Sequence, residues 1–296
     1  MEEVKAGEDG KTAMGTLRMV REAAGVGAAL ILLALLLPAH SLGGHYERGR
    51  TLAEAGSQAE AAEAFREALR LNPEDVDSRY RMGRALALLG RHEEAAAALK
   101  EALRRNRSQG GGKLDVNNTY LMVGEAYFSL GSYREAIPFY RRAAMIGDPS
   151  GKAALALGRT YYRLERFGEA RESFRDALRG DGADAEARYL FGNASFHLEE
   201  YRVAHNAYRE VVRAYPDHIG ALFNLGTTAF ILHQLGEAAA AFQEVLRVDP
   251  ENGEAHFNLG RIYLLSKLEP LALEEHKILE AIDPVKAQRL LNLIYP

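Results

Sequence analysis

Cysteine is absent from all 296 residues. That absence removes disulfides, thiolate nucleophiles, iron–sulfur clusters and cysteine-based zinc sites together. An excess of positive charge is also missing: 37 Lys and Arg stand against 41 Asp and Glu, a formal net charge of −4. Non-specific nucleic-acid binding draws on basic residues that displace counterions from phosphates. Arg and Lys here are dispersed among acidic residues, so no nucleic acid is expected as a partner.

The motifs of common catalysts are missing as well. There is no His-Glu-x-x-His run for zinc and no Gly-x-x-x-x-Gly-Lys-Ser/Thr loop for phosphate. Gly110-Gly111-Gly112-Lys113 lacks both the hydroxyl residue and a strand before it. The nine histidines do not gather; His197 and His205 are eight apart and are predicted on different helices. No nucleophile stands beside a base. The sequence therefore predicts no catalytic, metal or cofactor-binding residues and no enzyme.

One long apolar run is present near the N-terminus. A polar stretch of mixed charge, residues 1–22, is followed by the uncharged Ala23–Leu37. With Pro38 and Ala39 this run reaches ~17 residues, the lower limit for a helix that spans a bilayer. Two readings stay open. As a signal anchor, it leaves Arg18 and Arg21 on the cytoplasmic side. As a cleavable signal peptide, its core is Ala28–Leu37, and Ala39-His40-Ser41 supplies small residues for cleavage near Ser41. In that case Met14 is a candidate start. A buried core helix is the third alternative, but leucines with no polar face suit lipid better. Both leading readings place the rest of the chain outside the cytoplasm, on the periplasmic or cell-surface side.

Beyond residue 41 the chain repeats. Glycines stand at 49, 83, 124, 158, 192, 226 and 260, with gaps of 34, 41, 34, 34, 34 and 34 residues. Twelve residues after each is an alanine: Ala61, Ala95, Ala136, Ala170, Ala204, Ala238 and Ala272. Four further on come Phe65, Leu99, Tyr140, Phe174, Tyr208, Phe242 and His276. Three beyond those are Ala68, Ala102, Ala143, Ala177, Val211, Val245 and Leu279. Pro73, Pro216, Pro250 and Pro284 close four of the periods. A fixed period of this length is the mark of a solenoid.

The pattern Leu157-Gly158-Arg159-Thr160-Tyr161…Ala170…Phe174…Ala177, and again Leu259-Gly260-Arg261-Ile262-Tyr263…Ala272…Pro284, resembles the tetratricopeptide repeat (TPR). The resemblance covers residues 42–284 and implies an all-α fold, a right-handed TPR α-solenoid of helix-turn-helix repeats, after one N-terminal hydrophobic helix. Seven repeats are expected: 42–75, 76–109, 117–150, 151–184, 185–218, 219–252 and 253–284. Residues 285–296 should form a capping helix, with Leu290, Leu291 and Ile294 on one face. Arg105–Asp115 reads as a surface loop, an insertion covering about 105–116. Pro138 should kink the second helix of the third repeat. Gly56, Gly90 and Gly131 are predicted helix stops. Asn72-Pro73, Asp249-Pro250 and Asp283-Pro284 read as caps that start the following helix.

The resemblance also implies that first helices line a concave groove, through positions near each key glycine. Three before it stand Tyr46, Tyr80, Leu121, Leu155, Tyr189, Phe223 and Phe257. One after it are Arg50, Arg84, Glu125, Arg159, Asn193, Thr227 and Arg261, and four after it Ala53, Ala87, Phe128, Tyr162, Phe196, Phe230 and Leu264. Aromatic and Arg side chains are those that protein-recognition hot spots favour. The candidate partner-binding residues are Tyr162, Tyr189, Asn193, Phe196, Phe223, Asn224, Phe230, Phe257, Asn258 and Arg261. Asn193 and Asn224 match the two asparagines of the family's carboxylate clamp. Tyr189, Glu254 and Asn258 fill the places of its three cations, so that activity is not expected. The implied function is a non-catalytic adaptor that binds a protein or peptide. The alternatives are an accessory subunit of an envelope secretion, assembly or enzyme complex, and a solenoid that self-associates through Phe257, Leu264 and Leu265.

Overall fold

A computed structural model describes residues 42–112, 114–180 and 185–296. The polar tail 1–22, the apolar segment 23–39 and the cleavage position near Ser41 lie outside the described residues. Among the described residues there are fifteen helices and no strand. No helix among them is long and apolar enough to cross a membrane. They fall into two compact units that divide between Gly147 and Asp148.

The first unit holds α1 (Leu42–Glu54), α2 (Gln58–Leu71), α3 (Val76–Leu88), α4 (His92–Ser108), α5 (Val116–Ser129) and α6 (Tyr133–Ile146). The second holds α7 (Lys152–Arg163), α8 (Phe167–Ala177), α9 (Ala185–His197), α10 (Tyr201–Ala214), α11 (Ile219–Ile231), α12 (Leu235–Val248), α13 (Gly253–Leu265), α14 (Glu269–Ile282) and α15 (Pro284–Ile294). Odd-numbered helices through α13 carry the key glycine, and the even-numbered helix that follows folds back against it.

The pairing rests on one contact. A Cβ placed on Gly158 would lie 2.5 Å from the Phe174 ring, and one on Gly226 would lie 2.9 Å from the Phe242 ring. Gly49 stands in the same way against Phe65, Gly83 against Leu99, Gly124 against Tyr140 and Gly192 against Tyr208. The alanines twelve after each glycine are all fully buried, so the two backbones approach closely along that line. The last pair is built differently. Its large position is His276, and the space over Gly260 is filled by Leu290 from α15, at 2.5 Å from a Cβ there. Leu290 is wholly buried with Leu279 and Ala287; Leu291 and Ile294 are half-buried.

Each first helix ends in the same turn. The residue seven after the key glycine has positive φ, and the next amide reaches back five residues, as in Ser57 N to Leu52 O at 2.9 Å and Arg166 N to Tyr161 O at 2.9 Å. This is the Schellman arrangement, which favours glycine at the left-handed position. Gly56, Gly90 and Gly131 fill it in the first unit. In the second unit Glu165, Glu199, His233 and Lys267 adopt the same conformation at φ 58–61°. A side chain there costs about 1–2 kcal/mol through its Cβ.

Two local expectations are corrected. Asn72 and Asp249 do not start the next helix. They close α2 and α12, and Asp75 N donates to Asn72 O at 3.1 Å and Asn252 N to Asp249 O at 3.2 Å. Asn or Asp before Pro suits the first two positions of such a turn. The caps come three residues later, where Asp75 accepts from Ser78 N and Asn252 from Ala255 N. Only Asp283 caps directly, accepting from Lys286 N at 3.0 Å with Pro284 in the first turn of α15. Second, α4 runs through Ser108, so the insertion begins as an added helical turn rather than as a loop at Arg105. Asn106 is buried there, and Arg105 pairs with Glu101 at 2.7 Å and with Glu74. The loop itself is shorter, with Gly110, Gly111 and Gly112 all at positive φ. Pro138 lies inside α6, which continues unbroken to Ile146, as expected of a proline that does not break its helix.

A buried ionisable pair sits in the last repeat. His256 Nε2 lies 3.0 Å from Pro250 O, so that nitrogen carries the proton, and Nδ1 lies 2.5 Å from Glu275 Oε2. Burial raises the Glu275 carboxyl above the ordinary range; the bond to His256 opposes this, and Glu274 adds to it. The folded protein therefore holds this proton to higher pH than the unfolded chain does. The contribution is complete below the ordinary glutamate range and is lost as pH rises through the elevated folded value.

Two outcomes are expected. Glu165→Gly relieves the left-handed strain and raises stability by about 1 kcal/mol, read as a shifted urea midpoint. Glu275→Gln keeps a donor toward His256 Nδ1 and flattens the decline in urea midpoint as pH rises above the ordinary glutamate range. An unchanged slope would show that the pair does not set it.

Candidate functional site

All ten candidate residues lie in the second unit, on α7, α9, α11 and α13. Nine are half-buried. Phe257 is the exception: at 7% exposure it belongs to the C-terminal cluster with Leu279, Ala287 and Leu290. α15 covers it, and the Arg289 guanidinium stands 5.0 Å over its ring. Phe257 is therefore core, not a groove contact. Leu264 packs on the same cluster, which leaves only Leu265, 61% exposed, of the proposed self-association patch.

Asn193 and Asn224 are locked to each other. Asn224 Nδ2 donates to Asn193 Oδ1 at 3.1 Å and to Tyr189 OH at 3.3 Å. Tyr208 OH donates to the same Asn193 oxygen at 2.8 Å. Burial, reinforced by Tyr189 and Tyr162, pushes the Tyr208 phenol far above its usual range, so it remains a donor at any ordinary pH. Tyr189 also packs against the His218 ring at 4.9 Å, while His218 Nδ1 caps α11 through Ala221 N at 3.0 Å. These contacts join α9, α10 and α11.

The aromatic residues form two groups. Tyr162 OH meets His197 Nε2 at 2.9 Å, and Phe167 stacks on the His197 ring at 4.1 Å between centroids. Burial, and then the nearby Tyr189, raise the Tyr162 phenol. Phe196 meets Tyr201 edge-on at 5.4 Å. Phe223 turns inward against the Phe242 ring at 5.3 Å, so much of it supports the core. On the C-terminal side, the Arg261 guanidinium stands 4.7 Å over Phe230 and 5.8 Å over Phe257. It is held there by Asn258 Oδ1 at 3.1 Å, and Asn258 Nδ2 in turn bonds to Glu254 O. Planar guanidinium stacking of this kind presents a fixed cation at an apolar face.

Phe167, Tyr201 and His197 belong to this surface and were not among the sequence candidates. The signal was present: nine residues after three successive key glycines stand Tyr133, Phe167 and Tyr201, the first residues of α6, α8 and α10. Among the described residues there is no group of three or more side chains able to hold a metal. The surface offers stacking faces, amides and one fixed cation, which is chemistry for binding. Asn193→Ala should cost about 1–3 kcal/mol by leaving the buried Tyr208 hydroxyl without its acceptor. In a Tyr208→Phe background most of that cost should vanish, as read by a double-mutant cycle of urea midpoints.

The tetratricopeptide repeat is matched at residues 43–75, 76–145, 155–201 and 226–284. No curated protein matches the chain. Among solved structures, the C-terminal part of a TPR repeat-containing protein from Cytophaga hutchinsonii is similar at 18% identity and TM-score 0.71, covering 83% of this chain and 99% of that one. YrrB, described as a TPR protein with an unusual peptide-binding site, is similar at 24% identity and TM-score 0.59, covering 67% of this chain and 99% of that one. MamA is similar at 23% identity and TM-score 0.53, covering 56% and 97%. These likenesses show the fold. With the repeat matched through most of residues 43–284 and the glycine-to-ring contact present in both units, the chain belongs to the tetratricopeptide repeat family.

Proposed function

We propose that this chain is a non-catalytic protein-interaction scaffold that works outside the cytoplasm and binds a peptide segment of a partner along α7, α9, α11 and α13. The observation that carries the reading is the half-buried row of Tyr162, Tyr189, Phe196 and Phe230, with Asn193, Asn224 and Arg261 fixed among them. Members of this repeat family bind proteins or peptides, and YrrB is described as having a peptide-binding site. Half-buried rings lose little conformational freedom on binding, and amides between them satisfy a partner's backbone. The apolar segment 23–39 supports the extracytoplasmic placement, as an anchor in the membrane or as a signal removed near Ser41.

The test is affinity purification of the full-length chain from its native membrane fraction after mild crosslinking, followed by mass spectrometry. A reproducible partner should be lost with Phe196→Ala and with Arg261→Ala, while circular dichroism of both variants stays unchanged. A chain shown to be exported that brings down no partner would end the reading. Retention of the partner by both variants would move its site off this face.

A further inference from the structure

The first two repeats differ from the next three at two positions. In the third, fourth and fifth repeats the residue four after the key glycine is aromatic and meets edge-on the ring five residues later. The pairs are Phe128 with Tyr133 at 5.1 Å, Tyr162 with Phe167 at 5.3 Å and Phe196 with Tyr201 at 5.4 Å. The first two repeats carry Ala53 with Gln58 and Ala87 with His92 instead. Where the ring pairs are absent, two cavities open. One of about 350 Å³ is lined by Ala53, Gln58, Ala85 and Leu88, and one of about 250 Å³ by Ala87, His92, Met122 and Ala126. Both are open, and both share Arg84 and Leu88 in their walls.

The charge around them is unequal. Arg50, Arg81 and Arg84 line the first cavity against a single carboxylate, Glu54. Arg50 is paired with Glu47 at 3.2 Å and with Glu54 at 3.8 Å. Arg81 is paired with Asp77 at 2.9 Å, and Tyr46 OH donates to the same carboxylate. Arg84 is different. It is exposed and lies 5.8 Å from the Tyr80 ring centroid, and among the described residues no carboxylate pairs with it. Glu125, in the wall of the second cavity, is already engaged. Leu88 beside Arg84 is 69% exposed.

The geometry points to a second binding surface on α1, α3 and α5, one that takes an acidic segment of a partner protein, with a carboxylate on Arg84 and a bulky apolar side chain in each flanking cavity. Arg carries a fork of donors that matches a carboxylate bidentately. Ala53, Ala85 and Leu88 in the first cavity, and Ala87, Met122 and Ala126 in the second, give each an apolar patch beside its charged wall, against which an aliphatic side chain packs. Packed helices lie about 8–10 Å apart, a span that a chain in the polyproline conformation covers in about three residues at 3.1 Å each while returning every third side chain to the same face. The segment that fits is therefore apolar at every third residue and acidic between. This surface shares no residue with the aromatic one on α7, α9, α11 and α13 and does not depend on it.

The test uses the full-length chain in nonionic detergent and a fluorescein-labelled peptide of four copies of Leu-Glu-Glu, followed by anisotropy. The controls are the Leu-Gln-Gln and Leu-Lys-Lys peptides of equal length. The acidic peptide should bind, and the Gln peptide should bind about tenfold more weakly. Arg84→Gln should weaken the acidic peptide by about tenfold and leave the Gln peptide unaffected. Ala53→Phe with Ala87→Phe, which restores the rings found elsewhere, should abolish binding. Because that double variant could fail to fold, Arg84→Gln, an exposed change, carries the test alone if its circular dichroism melt is unaltered. Equal binding of the Gln peptide, indifference to Arg84→Gln, or no binding of the acidic peptide would overturn the proposal. Displacement by oligouridine at lower concentration than by the unlabelled peptide would also overturn it, by assigning the surface to phosphate. Loss of binding on Phe196→Ala would return the peptide to the other face.

Discussion

The approach of a glycine backbone to a large side chain sixteen residues later sets the geometry of nearly everything else. It requires no Cβ on one helix and a ring or leucine on the other, and it fixes how deeply the two can seat. The alanines at the next line of contact are then wholly buried because there is no room for more. A pair seated in this way still leaves apolar surface uncovered, which the next pair must bury. The exposed charge is largely local, as in Arg70 with Glu67 and Arg175 with Glu172, each three residues apart on one helix. Such pairs add little stability.

This framework was legible in the sequence because its cause is a spacing of residue types. The glycines, the alanines and the large residues recur in phase, and each position has one steric reason. What was not legible is whatever depends on a neighbour outside the period. Leu290 filling the space over Gly260 could not be read from a repeat that simply lacked its ring at His276. The stops at Glu165, Glu199, His233 and Lys267 were hidden because only glycine advertises a left-handed residue. The caps at Asp75 and Asn252 were displaced by Asn-Pro and Asp-Pro pairs that serve a turn equally well.

The candidate surface was legible in part for the same reason. Tyr162, Tyr189 and Phe196 stand on the first helices at the positions the resemblance implied, and their exposure leaves them available. Phe257 occupies the equivalent position yet is buried, because the helix packed over it is not a repeat at all. The amides of Asn193 and Asn224 look like ligands in sequence; in the structure part of their capacity is spent holding Tyr208 and Tyr189. Position within a repeat tells where a side chain starts, and the neighbouring helices decide what it has left to offer.

The way Leu290 replaces a ring over Gly260 also bears on how such an array can grow. A tandem copy of residues 253–284 placed in the interior would carry a glycine with no bulky partner of its own and a histidine where its neighbours have a ring. Only the final copy would receive the leucine. The upstream repeats bring their own partner with them and can be duplicated without that defect. A copy of any of the first six repeats therefore packs as it stands, whereas the seventh packs only with α15 beside it.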